Sequence, residues 1–224
     1  MRNKVILMKT IELFCGTKSF SKVAKQLGHY THTIDKYNQF NPDSLLDIMT
    51  ATLIFSAVDV LWASPPCTAF SVASIGRHWT GGNKAYIPKS KTAKEGLLLL
   101  DKTIQAIQGI KPRYWFIENP RGVMRKVIDK IFEKYCVTDY RRVTVSYCQY
   151  GDKRMKPTDI WTNCYEWTPR PMCHNGDKCH EAAPRGSKTS TQGLKGSTER
   201  GVIPPNLFRE IFKSISNKVM MFTV

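Results

Sequence analysis

The 224-residue chain is poor in acid, in long apolar runs and in paired cysteine motifs. It carries 18 Asp and Glu against 34 Lys and Arg, a formal net charge of +16, and the excess is spread along the chain instead of being gathered in one tail. Such an imbalance favours a polyanionic partner, with nucleic acid the default and a merely basic surface the alternative. No apolar run approaches the roughly 20 residues that a membrane-spanning helix needs. The basic N-terminus leads only into the short apolar stretch 5–8, so neither a transmembrane helix nor a secretory signal is expected. The seven cysteines are odd in number and include no C-x-x-C pair. Their contexts suit thiol or metal chemistry better than disulfides, and a reducing, cytoplasmic compartment is the expectation. The length suits one α/β domain with a good core and a small insertion, and a monomer is expected.

What is present is an alternation of strand-like and helical segments. Residues 8–14, 31–34, 58–62, 114–117 and 140–147 read as strands, and 19–27, 94–110 and 122–135 have helical spacing, with 44–54 ambiguous. This order predicts a doubly wound, mostly parallel sheet.

Two strand ends carry polar chemistry. Asp59-Val60-Leu61-Trp62 runs into Ala63-Ser64-Pro65-Pro66-Cys67. A Pro-Pro pair ends a strand and holds the next side chain in a defined direction, which at the carboxyl edge of an α/β sheet is toward the ligand crevice. Cys67 is therefore a candidate nucleophile, although a lone cysteine also serves as a small buried apolar residue. Tyr114-Trp115-Phe116-Ile117 runs likewise into Glu118-Asn119-Pro120. A Glu at such a junction is either paired or catalytic, unless it lies on a solvated loop.

The first strand-to-helix turn, Phe14-Cys15-Gly16-Thr17-Lys18-Ser19, has a single glycine. It lets backbone approach a ligand and offers free amides at a helix start, as an ordinary tight turn also would. Asp35 ends the second strand, where such folds place an acid on a ribose hydroxyl. Together these suggest an adenosyl ligand.

At this point the chain resembles the DNA (cytosine-5) methyltransferases. Glu12-Leu13-Phe14-Cys15-Gly16 is similar to their cofactor motif, Ser64-Pro65-Pro66-Cys67 to their nucleophile motif and Glu118-Asn119-Pro120 to their Glu-Asn motif. Tyr150-Gly151 with Arg154-Met155-Lys156 resembles the segment carrying Arg-x-Arg, and Ile203-Pro204-Pro205-Asn206-Leu207 the closing segment. Lys18 and Ser19 stand where the family has further glycines, Lys156 replaces its second arginine, and Gly201 its Asn. The resemblance implies a Rossmann-like, S-adenosylmethionine-dependent methyltransferase sheet acting on double-stranded DNA. Cys67 would attack carbon 6 of a flipped-out cytosine, Glu118 would protonate the ring and Arg154 would bind its carbonyl side. Phe14, Gly16 and Thr17 would line the methionine end of the cofactor, Asp35 the ribose, Asp47-Ile48 the adenine, with Pro65 beside them. RNA is an alternative substrate for the same chemistry, and a catalytically inactive DNA-binding protein is the alternative of another class. By analogy, the small size suggests a phage or mobile-element enzyme, with restriction-modification as its setting.

The expected division is a catalytic domain over 1–160, a target-recognition segment over 161–200 and a C-terminal segment over 201–224 that packs back on the catalytic domain. Within the middle segment, three cysteines and two histidines fall between Cys164 and His180. Cys164, Cys173, Cys179 and His180, or His174 in its place, are a candidate structural zinc site, with free thiols in a loop as the alternative. Residues 183–201, rich in Gly, Ser, Thr, Lys and Arg, read as a linker or as a loop that contacts phosphates through Arg185, Lys188, Lys195 and Arg200.

Overall fold

A computed structural model describes residues 7–181 and 196–221. Arg185, Lys188 and Lys195 of the expected phosphate-contacting loop lie outside the described residues. Seven strands form the central sheet: β1 (Lys9–Leu13), β2 (Tyr30–Asp35), β3 (Ser44–Leu45), β4 (Val60–Ala63), β5 (Tyr114–Pro120), β6 (Arg141–Ser146) and β7 (Pro157–Thr162). Four longer helices accompany them: α1 (Ser19–Gln26), α2 (Lys91–Ile110), α3 (Met124–Lys134) and α4 (Pro205–Met221). The strand order is β3-β2-β1-β4-β5-β7-β6. All pairings are parallel from β3 to β5, whereas β7 runs antiparallel to both β5 and β6.

The two faces of the sheet bury different residues of the same strands, as period-2 alternation requires. Along β4, Leu61 and Ala63 join Leu100, Ile104 and Ile107 of α2 on one face. Val60 and Trp62 join Phe20 of α1 and Phe208 and Phe212 of α4 on the other. There Trp62 stacks between Phe20 at 5.8 Å and Phe116 at 5.5 Å, with Phe208 edge-on at 4.8 Å. The C-terminal helix thus closes one face of the central sheet.

The strand β7 departs from the sequence reading, which passed from residue 147 to the insertion without it and put a boundary at 160, inside the strand. Its Asp159 is fully buried and bonds Arg125 of α3 through both carboxylate oxygens, with Thr144 of β6 donating to Oδ1 at 2.8 Å. A buried charge needs such a partner.

Candidate active site

Since β1, β2, β4 and β5 are parallel, their carboxyl ends share one edge of the sheet. Both neighbours of the antiparallel β7 point that way, so the segment 147–156 leaving β6 also lies at this edge. Chain order reverses between β1 and β4, which is where an open α/β sheet opens a crevice for ligands.

The nucleophile candidate sits on a turn fixed from two sides. The Cys67 carbonyl accepts from the amides of Phe70 at 2.9 Å and Ser71 at 3.1 Å. From β5, the Asn119 side-chain amide donates to the Pro65 carbonyl at 2.8 Å, and the Val123 amide donates to the Phe70 carbonyl at 2.8 Å. Gly122 makes this approach possible, because a Cβ there would stand 2.2 Å from the Phe70 carbonyl oxygen. The Glu-Asn segment therefore positions the turn that carries Cys67.

Glu118 is buried in β5 and accepts from the hydroxyl of the fully buried Tyr147 at 3.0 Å. Cys67 reaches solvent, yet its surroundings push the thiol above its ordinary value, first by burial and then through the negative charge of Glu118. Lys156 and Arg200 oppose this by drawing it down. The Lys156 ammonium lies 4.7 Å above the Tyr147 ring and donates to the Arg200 carbonyl at 2.8 Å. Burial pushes it below the usual lysine range while Glu118 and Cys67 pull it back up. Its φ of 27° is one that a non-glycine residue rarely adopts, and such strain clusters at functional sites.

Arg154 has a different place from the expected one. Its Nε donates to Asp152 Oδ1 at 2.8 Å, Nη1 to the carbonyls of Arg200 at 3.1 Å and Glu199 at 3.4 Å, and Nη2 to Val202 at 2.9 Å and to the second Asp152 oxygen. A guanidinium has five donors, and here all five are engaged. Arg154 is thus a buried latch between the β6–β7 loop and residues 199–202, whereas the Lys156 ammonium lies over the ring of Tyr147, whose hydroxyl bonds Glu118. In the sequence, Lys156 stands out only as a replacement for arginine. The signal that could have promoted it is its position next to Pro157, which fixes how the chain enters β7.

On the other side of the crevice, the turn after β1 passes through positive φ at Phe14 (56°), Gly16 (42°) and Lys18 (57°). Asp35 shapes it: one carboxylate oxygen accepts from the Gly16 amide and the other from the Tyr37 amide, each at 3.0 Å. Thr17 shares a 2.9 Å hydrogen bond with Ser19 at the start of α1. The Leu46 amide donates to the Asp35 carbonyl at 3.0 Å, which brings Asp47 and the buried Ile48 to the same edge. Asp47 accepts from the Met49 amide at 3.0 Å and faces Lys36 at 3.8 Å. The structure therefore brings Phe14, Gly16, Thr17, Asp35, Asp47, Ile48 and Pro65 to the loops of consecutive strands β3, β2, β1 and β4. Glu12 was not foreseen. It is buried in β1 and accepts from the amides of Phe20 at 3.2 Å and Ser21 at 3.0 Å and from the Ser21 hydroxyl, capping α1 from the sheet.

The expected zinc quartet is rearranged. Cys173, Cys179 and His180 come together, but the fourth member is Cys148, on the turn after β6, with all four ligand atoms within 4.8 Å of one another. Cys164 is fully buried among Trp167, Phe116 and the α4 side chains, with its sulfur 3.6 Å from a Glu166 carboxylate oxygen. It behaves as a small apolar residue. His174 is exposed and its ring nitrogen faces Asp177 at 4.0 Å. No helix among the described residues is long and apolar enough to cross a membrane.

An open α/β sheet with a reversed seventh strand, and ligand-facing loops along one carboxyl edge, define a Rossmann-like methyltransferase fold. Residues 8–140 match the family of C-5 cytosine-specific DNA methylases, and the chain belongs to that family. A protein of Frog virus 3 (isolate Goorha) named "Probable DNA (cytosine-5)-methyltransferase" is 30% identical over 223 residues, spanning 91% of this chain and 98% of its own. Among solved structures, the S. pombe Dnmt2 methyltransferase matches 72% of this chain with 53% of its own at 15% identity and a TM-score of 0.47. The Entamoeba histolytica methyltransferase EhMeth matches 70% with 52% of its own at 14% identity and a TM-score of 0.45. The chain thus spans about half the length of these two solved proteins.

Proposed function

We propose that this chain transfers a methyl group from S-adenosylmethionine to carbon 5 of cytosine in double-stranded DNA, through a covalent bond between Cys67 and carbon 6 of an extruded base. The observation that carries this reading is geometric: Asn119, beside Glu118, donates at 2.8 Å to the Pro65 carbonyl two residues before Cys67, and the Tyr147 that bonds Glu118 at 3.0 Å lies 4.7 Å from the Lys156 ammonium. Addition of a thiolate to carbon 6 needs a nucleophile and a means of neutralising charge on the ring. Lys156 draws the thiol toward its thiolate form. Glu118, oriented by the Tyr147 hydroxyl, would hold a proton at the ring nitrogen beside the exocyclic amine. Cytosine becomes an electrophile only when that nitrogen carries charge or a proton, so a positioned acid stabilises the addition. Carbon 6 is inaccessible in a stacked duplex, which makes extrusion necessary.

The residues at β1, β2 and β3 fit the cofactor. Gly16 presents a side-chain-free turn, Asp35 is a buried acid held at the end of β2, and Asp47 with Ile48 offers a polar and an apolar contact beyond it. When bound there, S-adenosylmethionine supplies an electrophilic methyl group. Phe14, Gly16 and Thr17 would hold its methionine end, Asp35 the ribose and Asp47-Ile48 the adenine. The net charge of +16 supports a phosphate-backbone partner.

The deciding assay supplies S-adenosylmethionine with a tritiated methyl group together with duplex DNA or RNA, then separates nucleosides. Label in 5-methyldeoxycytidine is expected. Label confined to RNA would shift the substrate, and label on an exocyclic amine would overturn the mechanism.

A further inference from the structure

The Cys/His cluster lies outside the crevice and takes no part in the chemistry above. Cys148 Sγ is 3.1 Å from Cys173 Sγ and 3.6 Å from Cys179 Sγ, and His180 Nδ1 is 3.7 Å from each of Cys173 and Cys179. Four donors placed tetrahedrally around zinc, at metal distances of about 2.3 Å for sulfur and 2.0 Å for nitrogen, stand about 3.5–3.8 Å apart. A disulfide would bring two sulfurs to about 2.05 Å. The cysteines are free thiols; three of the four separations fall in that range, and the 3.1 Å Cys148–Cys173 contact lies between it and a disulfide.

The surrounding chain also calls for a tie. Residues 163–181 contain no helix or strand, and His174-Asn175-Gly176-Asp177-Lys178-Cys179-His180 offers no aliphatic or aromatic core residue. Residues 163–170 are held by the core and by Arg141, Tyr150 and Glu210, but from 173 onward the anchors are fewer, beginning with a Lys153–Glu181 ion pair at 3.1 Å. The Cys173 amide donates to Ser146 Oγ at 3.3 Å, the Gln149 amide group to Cys179 Sγ at 3.4 Å, and the Glu181 amide to the Lys153 carbonyl at 2.8 Å. A turn with no core of its own is commonly held by a metal.

We propose that Cys148, Cys173, Cys179 and His180 bind one structural zinc ion that fastens the 173–181 segment to the β6–β7 loop. Three soft thiolates and one imidazole select zinc over hard cations. The ion draws one ligand from the catalytic part of the chain. Cys148 directly follows Tyr147, whose hydroxyl orients Glu118, so the insertion and the acid are braced through one turn.

The test is metal analysis of the full chain, purified without a histidine tag, beside its Cys148→Ser, Cys179→Ser and Cys164→Ser variants. About one equivalent of zinc is expected in the wild type and in Cys164→Ser, and less than half in the other two. Cobalt(II) loaded into the same proteins should give an intense thiolate charge-transfer band in the wild type that Cys179→Ser loses. Cys179 is exposed, so that variant remains informative if Cys148→Ser fails to fold. A folded wild-type protein with less than half an equivalent of zinc would overturn the proposal. So would stoichiometric iron, a mapped Cys148–Cys173 disulfide, or zinc retained in Cys179→Ser. None of these readouts depends on methyl transfer, so the site stands or falls separately from the activity.

Discussion

Cys67 and Cys148 both sit on loops at the carboxyl edge of the sheet, but different forces place them. The Cys67 turn is pinned by buried backbone and amide bonds from the next strand over: Asn119 to Pro65, Val123 to Phe70, and Gly122 at a distance no side chain would allow. The segment that meets Cys148 has fewer such ties, the Cys173 amide on Ser146 Oγ and the Glu181 amide on the Lys153 carbonyl, together with the side chains that converge on the cluster. A reactive thiol needs a scaffold that holds it while leaving its sulfur unbonded. A structural thiol can be held by its sulfur alone.

The sharpest way to break this comparison is to remove each sulfur in turn. Cys67→Ser should lower methyl transfer by at least about a thousandfold, the order seen when a covalent catalytic group is lost, while leaving the melting temperature and zinc content unchanged. The wild type should trap a covalent adduct with DNA containing 5-fluorocytosine, and the variant should not. Appreciable turnover by Cys67→Ser would remove the covalent mechanism.

Much of the catalytic side of this contrast was legible in the sequence, because apolar runs that end in polar residues are local signals. Val60–Ala63 ends one residue and Tyr114–Pro120 three residues beyond the expected C-terminal end, and α2 follows its apolar spacing. The strand β7 was not legible. Its Thr158, Asp159 and Thr162 break the apolar pattern, and Asp159 is tolerated only because Arg125, 34 residues earlier, reaches it. The same limit explains the exchange of Cys164 for Cys148. Spacing groups cysteines that are near in sequence, whereas Cys148 meets Cys173 across a gap of 25 residues. In the same way, nothing local separates Arg154 from Lys156, and only the engaged guanidinium assigns one to the fold and the other to the crevice.

Those two cations provide the next test. Arg154→Ala would strip a buried partner from Asp152 and free three carbonyls, which should cost about 3 kcal/mol or more and appear as a lower melting temperature. Lys156→Gln keeps a donor for the Arg200 carbonyl but removes the charge, so stability should hold while the rate falls. The thiol would lose a neighbour that draws it down, and the rising limb of the pH–rate profile should therefore move to higher pH. If Arg154→Ala keeps its melting temperature and loses only affinity for the base, the assignment of the two cations reverses.

The smallest expected effect concerns Glu12, which belongs to the framework and not to the chemistry. Burial pushes its carboxyl up to about 7, although three hydrogen bonds from the start of α1 work the other way. A folded-state value above the unfolded one means that the native protein holds the proton more tightly. Stability from this group is therefore present below about 4.5 and lost as pH rises toward about 7, on the order of 1–3 kcal/mol across that window. Glu12→Gln cannot titrate, so its denaturant-midpoint curve should lack that fall. A glutamine has one acceptor oxygen where the carboxylate has two, which leaves a buried amide of Phe20 or Ser21 unpaired, and the curve should also lie lower by about 1–3 kcal/mol. The comparison is read as the difference between the two proteins from pH 4.5 to 7.5, since groups common to both then cancel. Parallel curves would show that Glu12 is ionised throughout and that the α1 amides outweigh its burial.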